Sequence, residues 1–171
     1  MKRTLISLAI FFCCLASAGA QNMATINTET ILNGIAEYLS AQKQLEVLQD
    51  QYKSAIEKEV SQIETLYNDY QSRKATYTAS QRASAENEII AREKSVQEKQ
   101  KIYFGEDGLM ARKTADLMDP IRVKVDKAVE TAAKAGGYAI VFDLAVNQGV
   151  AFSSLPDISQ TVINIYNTIK Q

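Results

Sequence analysis

Most side-chain chemistry near neutral pH is done by histidine and cysteine, and this 171-residue chain offers very little of either. Histidine is absent, which removes the commonest general acid–base group and transition-metal ligand. The only cysteines, Cys13 and Cys14, lie in an apolar N-terminal stretch. Carboxylates, lysines, serines and eight tyrosines remain. By residue type alone they could form a Ser–Lys or paired-carboxylate site, or bind a hard cation. No Asp/Asn spacing of the EF-hand kind appears, however, and there is no P-loop and no G-x-G-x-x-G. Catalysis also needs a concave site that excludes water. The expectation is therefore no enzyme, no cofactor and no metal. The residues best spaced to act would do so by charge and contact. From Ser72 to Ala85 the chain carries Arg73, Lys74 and Arg82 with no acid, and Tyr77 sits among them. Such a cluster can attract an acidic partner or form an ordinary solvated turn. An amphipathic ring such as Tyr77 gives contact area at low entropic cost.

The element that must carry this cluster is a long hairpin of helix. Between about Gly34 and Ala135 there is one proline, Pro120, and apolar residues recur at helical spacing. The descending limb, from about Glu37 to Tyr77, places Leu45, Leu48, Tyr52, Ile56, Val60, Ile63, Tyr67 and Tyr70 on one stripe. Leu45, Ile56 and Tyr67 stand eleven apart, a period of ~3.67 that favours nearly straight pairing. Thr78-Ala79-Ser80-Gln81 reads as a capping box that restarts a helix after a tip near 77–82. The ascending limb carries Ile89, Val96, Tyr103, Met110 and Leu117 seven residues apart. Because the phase persists across Gly105 and Gly108, that segment reads as a soft spot in a continuing helix, either a hinge or a tolerated irregularity. Pro120 should kink the helix, which stops at Gly136-Gly137. Folding back pairs residues whose numbers sum to about 158: Tyr70 with Ile89, Ile63 with Val96, Ile56 with Tyr103 and Leu48 with Met110. Each limb of about forty residues would reach ~60 Å. Tyr52, Tyr67, Tyr70 and Tyr103 fit this seam, and Tyr77 lies beyond its end.

The ends of the chain supply the rest. Lys2 and Arg3, the apolar run Leu5–Ala16 and Ala18-Gly19-Ala20 read as a signal peptide cleaved after Ala20. A membrane anchor or a lipid on Cys13 or Cys14 are the competing readings, set against by length and by bulky Ile10-Phe11-Phe12. Cleavage lowers Lys+Arg from 19 to 17 against 20 acids, a net charge of −3, which gives no case for nucleic acid as partner. Met23–Asn27 reads as a strand, with Thr28 as cap of a short helix. Tyr138–Asp143 reads as a strand apolar on both faces, and Val150–Ser153 as another. Asp157 would cap a last helix in a second capping box with Gln160. The expected organisation is 1–20 leader, 21–36 plus 128–171 head, and 37–127 hairpin arm. The fold class is mostly α with a small β head. A head this size is marginal alone, so it should assemble through a core of Ile26, Ile140, Phe142, Val150 and Phe152.

The order strand, long helical hairpin, two strands, final helix, behind a signal peptide, resembles the Skp/OmpH family of periplasmic chaperones. The most specific residues are Met23–Asn27, Gly136-Gly137-Tyr138-Ala-Ile-Val-Phe-Asp143, Val150-Ala-Phe-Ser-Ser154 and Asp157-Ile-Ser-Gln-Thr-Val. The resemblance implies a periplasmic homotrimer whose heads join their strands and whose arms surround a cavity. It further implies that the arms hold unfolded outer-membrane barrel proteins without ATP, with at most peripheral membrane contact. The chain departs from the best-known family members in charge: those are strongly basic, whereas Gly34–Tyr70 here has seven acids against three lysines. Only the tip keeps the expected sign. The rival function is a static coiled-coil scaffold of the cell envelope.

Overall fold

The structure, a computed structural model, describes residues 22–146 and 153–169. The expected cleavage after Ala20, both cysteines, and Val150 and Phe152 lie outside these residues. The elements are β1 (Met23–Ile26), α1 (Thr28–Asn33), α2 (Ala36–Arg73), α3 (Ala79–Phe104), α4 (Leu109–Gly136), β2 (Ile140–Asp143) and α5 (Ser159–Thr168). The chain is thus mostly helical with a small two-stranded sheet and a long helical hairpin, as its periodicity predicts. Two compact units form: the described residues up to Ile35 with those from Lys124 onward, and Ala36–Val123.

The first unit is organised by β1. This strand lies parallel to β2, with Met23 opposite Ile140 and Ile26 opposite Asp143. Parallel pairing needs a long crossover, which the helices supply. On the other edge of β1, Thr25 N–H donates to the Pro156 carbonyl and Ile158 N–H donates to the Thr25 carbonyl, both at 2.9 Å. With partners on both edges, Ala24, Thr25 and Ile26 are buried. Ile31, Ile35, Val125, Ala128, Val162 and Tyr166 complete the core. The α4 residues among them recur at helical spacing, so one stripe faces inward. The helix ends where expected, at Gly136, and Gly137 takes the left-handed φ of +68° that glycine adopts without strain.

Two cap assignments are corrected here. Thr28 does not cap α1: Asn27 does, its side chain accepting from Thr30 N–H at 3.0 Å. Thr28 is the first helical residue, and its N–H and hydroxyl donate to the Asp143 carboxylate at 3.1 and 2.6 Å. Asp157 likewise does not cap α5, whose N-cap is Ile158 with no side-chain cap bond. Asp157 bridges to Thr25 as a strand residue, while its Oδ1 accepts from Ser159 N–H at 2.8 Å. The Ser159 hydroxyl in turn accepts from Asn27 N–H at 2.8 Å. At Thr28 a partner over a hundred residues away displaced the local pattern, because a Thr side chain serves whichever polar group is nearest in space; at Asp157 the side chain keeps a local bond, to Ser159, while the backbone joins Thr25.

The second unit contains the hairpin. Helix α2 is 38 residues long, α3 is 26, and they pack antiparallel. The expected capping box forms: Thr78 Oγ1 accepts from Gln81 N–H at 3.3 Å, and Gln81 Oε1 accepts from Thr78 N–H at 2.9 Å. Ile56, Tyr70, Ile89 and Val96 are buried along the seam. Pairing follows the expected sum closely: Lys99 bonds Glu59, and the Tyr70 hydroxyl donates to Glu86. Tyr103 stacks on Tyr52, rings 4.2 Å apart and 5° from parallel, one turn from the expected Ile56. Two positions assigned to the seam, Val60 and Tyr67, are exposed. The reading of a continuing helix through 105–108 is also corrected, since α3 stops at Phe104 and α4 starts at Leu109. Helix α4 runs on through Pro120, which cannot donate a backbone bond.

Asp143 accepts from Thr28 N–H, from the Thr28 hydroxyl and from Ala145 N–H at 3.0 Å, and so ties the end of β2 to the start of α1. Asp143→Ala should lower stability by about 1–3 kcal/mol, while Asp143→Asn, which keeps an accepting oxygen, should lose less than half as much. Urea unfolding of the three proteins checks this; equal stability of the alanine variant and the unaltered chain would show the carboxylate to be dispensable.

Candidate functional site

The four tip residues singled out by sequence come together at one end of the hairpin. Arg73 ends α2 and pairs with Asp69 at 2.9 Å, one helical turn back. Lys74 places its ammonium 5.5 Å from the centre of the Tyr70 ring. Arg82, in the first turn of α3, donates from Nε to the Tyr77 carbonyl at 3.2 Å. Tyr77 itself is half-buried, its ring centre 6.4 Å from that of Tyr70. Tyr70 is therefore the post around which the tip is built. It is buried, and the hydrogen bond to Glu86, then burial, hold its hydroxyl pKa above the ordinary tyrosine value. The three cations remain exposed, and each already has a local partner. Such pairs orient the charges without consuming much of their field, because exposed ion pairs are weak.

Further along, the Ile63–Val96 pair forms a ridge with an open groove on either side. One groove is lined by Glu59, Arg92 and Lys99. Its charges are matched within the hairpin: Lys99 bonds Glu59, which raises the lysine pKa, and Arg92 pairs with Glu88 at 3.1 Å. The other groove is lined by Val60, Glu64, Tyr67 and Glu93. Val60 and Tyr67 are 38% and 50% exposed. Sequence reasoning missed this groove because it put both residues in the seam. The available signal was the pairing itself: a stripe of eight residues on α2 faces a sparser stripe on α3, so some of the eight had to be left without a partner.

The expected hinge residues are also placed. Gly105 caps α3, and its N–H donates to the Lys101 carbonyl at 2.8 Å. Gly108 N–H donates to the Gly105 carbonyl at 2.9 Å, and Arg112 N–H to the Gly108 carbonyl at 3.1 Å. The break is a tight backbone turn with no room for a side chain. A Cβ on Gly105 would lie 2.4 Å from the Lys101 carbonyl oxygen. One on Gly108 would lie 2.9 Å from the carbonyl oxygens of Ile102 and Gly105. Beside the turn, the Phe104 ring sits edge-on to Tyr52 and Tyr103. Pro120 lies in the helical interior of α4, away from this turn in sequence.

In the other unit, Ile26 is buried within the chain itself. Ile140 and Phe142 occupy one face of β2 and are 40% and 39% exposed, while Val141 and Asp143 on the opposite face are half-buried. Among the described residues no group of His, Cys, Asp or Glu is placed to hold a metal ion, and no helix is long and apolar enough to cross a membrane.

Comparison with known proteins gives a consistent frame. Residues 22–166 match the family model for outer membrane protein (OmpH-like). A search of the curated proteins finds no match. Among solved structures, the chain is similar to a candidate outer membrane chaperone (OmpH-like) from Caulobacter crescentus CB15. The TM-score is 0.70 at 11% identity, covering 91% of this chain and 89% of that one. At that identity the likeness speaks for the fold.

The glycine turn generates its own test. Gly108→Ala should destabilise the chain by about 1–3 kcal/mol, because the new methyl group meets backbone that has to move. Thermal unfolding of the variant measures it. Unchanged or raised stability, with more far-UV helical signal, would mean that the segment straightens easily into continuous helix.

Proposed function

Because the chain belongs to the OmpH-like outer membrane protein family, we propose that it is a holding chaperone of the periplasm. Unfolded outer-membrane barrel proteins bind along its hairpins and are kept from aggregating without ATP. The observation that carries this reading is the hairpin's surface: open grooves and a basic tip lie along two long helices, with large apolar side chains left exposed. Such a surface suits partners that are extended and variable, since a small ligand needs an enclosing cavity. The leader, cleaved after Ala20, would deliver the chain to the periplasm. In this reading residues 37–127 are the arm, with its tip near 77–82, and Arg73, Lys74, Tyr77 and Arg82 make first contact. The Gly105–Gly108 turn, with Pro120 beyond it, gives the arm its flexible joint.

The head, residues 21–36 plus 128–171, assembles the molecule into a homotrimer. The support is the partly exposed apolar face of β2: Ile140 and Phe142 stand on a strand next to the buried β1 and stay 40% and 39% exposed in the single chain. Burying both would contribute several kcal/mol per chain. Val150 and Phe152 would join the same core.

Two outcomes follow. Purified protein should keep a urea-diluted barrel protein soluble without nucleotide. Changing Arg73, Lys74 and Arg82 together to Glu should slow capture at low salt yet leave most of the final complex at physiological salt, because exposed charges act mainly on encounter. Stopped-flow association and light scattering read the two effects; failure of the unaltered protein to hold any barrel protein would return the chain to the scaffold reading. Separately, Ile140→Asp or Phe142→Asp should convert a trimer into smaller species by putting a charge in the joint core. Sedimentation decides, and an unaltered protein that sediments as a folded monomer removes the assembly.

A further inference from the structure

We propose that the groove beside the Ile63–Val96 ridge, rimmed by Glu64 and Glu93, binds apolar residues flanked by lysine or arginine in an extended chain. This deepens the holding reading and rests on it. It also runs against the expectation, drawn from the basic tip, that acidic segments are the preferred cargo.

The floor of the groove is apolar. Ile63 and Val96 form its inner wall, and Val60 and Tyr67 present large side chains that are only partly covered. The groove is open along its length, and its volume, about 650 Å³, leaves room for side chains of an extended segment. The rim is acidic: Glu64 projects from α2 and Glu93 from α3, and no basic residue lines the groove. Among the described residues neither carboxylate has an ion-pair partner.

The opposite side of the same ridge is the control. There the hairpin matches its own charges, Lys99 with Glu59 and Arg92 with Glu88. Two grooves share one wall, and in one the charges are satisfied while in the other two negative charges flank an uncovered apolar floor. A segment entering that floor meets both carboxylates. A lysine or arginine beside its apolar residue can lay its methylene stem on Val60 and Tyr67 and bring its charge to the rim. A glutamate there would be repelled. Cationic–apolar segments are therefore selected over neutral ones of the same shape, and neutral ones over acidic ones.

The test uses the full chain and three labelled, unstructured peptides. They share length and apolar residues and carry lysine, serine or glutamate between them. By fluorescence anisotropy at low salt, the lysine peptide should bind about five- to tenfold tighter than the serine peptide, the gain that two exposed pairs can supply. The double variant Glu64→Gln, Glu93→Gln should bring lysine-peptide binding down to the serine level, while Val60→Ser with Tyr67→Ser should weaken the lysine and serine peptides alike. Far-UV circular dichroism should be unchanged for both, since all four side chains are at the surface. A lysine preference that is absent, or that survives the double Gln change, overturns the proposal. So does a double Gln variant whose sedimentation changes while peptide binding does not, which would put a second copy of the chain in the groove. Aggregation suppression of an unfolded barrel protein is measured on the same preparations. Holding without lysine preference removes only this groove assignment; lysine preference without holding keeps the groove as a peptide site and removes the chaperone reading.

Discussion

The pairing of β1 on both its edges is the constraint on which the sheet-bearing unit depends. Four residues, Met23–Ile26, pair with β2 on one side, and Thr25 among them bonds to Pro156 and Ile158 on the other, across more than a hundred residues of sequence. Asp143 and Ser159 extend the same closure by satisfying Thr28 and Asn27 just past the strand. Contacts so distant in sequence carry loop-closure entropy before they return any stability. The helical segments between them form from local contacts and reduce the freedom of the chain that has to close. The topology favours helices that form ahead of the sheet, which is complete only when β1, β2 and Pro156–Ile158 have come together.

The hairpin follows a different economy of burial. Two packed helices can cover only one face of each, so α2 and α3 bury a sparse seam of Ile56, Tyr70, Ile89 and Val96. Polar pairs fix its register where apolar area is thin, with Glu59 to Lys99 in the middle and Tyr70 to Glu86 near the tip. A third helix on the grooves would raise stability but would also cover Val60 and Tyr67. The sparse seam and the available surface are therefore one property of the design seen from two sides. Regions with few buried contacts open most readily, which places the easily deformed parts of the chain where the proposed partner binds.

The parts legible in the sequence were those set by short-range periodicity. The limbs, the capping box at Thr78 and the stop at Gly136 all follow from side chains within one or two turns of each other, and the structure shows them there. Where the reading failed, a longer-range or steric fact decided. Thr28 looks like a cap, yet its hydroxyl finds Asp143, which only the tertiary fold brings near, and Asp157 is drawn by its backbone into a bridge with Thr25. The heptad phase survives from Tyr103 to Met110 although the helix does not, so phase alone could not reveal the turn. What fixes that turn is the space around Gly105 and Gly108, where backbone carbonyls stand too close for any Cβ. Candidate binding residues were half legible for a related reason. A cation run marks the tip regardless of fold, but the Glu64–Glu93 groove exists only because residues from two helices meet, and neither helix announces it alone.

Net charge is consequently a poor guide to what such a surface holds. A chain with a net charge of −1 could be expected to attract neither sign strongly, but screening confines each charge to roughly 8–10 Å at ordinary ionic strength. Arg73 at the tip and Glu64 at the groove are nine residues apart, about 14 Å along the helix and more than one screening length, so each acts mainly on its own neighbourhood. An unfolded chain also carries both signs along its length. A hairpin with cations at its tip and uncompensated carboxylates further along can engage successive segments of one such chain by opposite attractions. No single contact need be strong, because linked weak contacts raise one another's effective concentration. Each contact also remains easy to break alone. A holder that acts without ATP needs that combination, since release then depends on sequential loss of weak contacts to a better acceptor and not on any conformational stroke driven by a nucleotide.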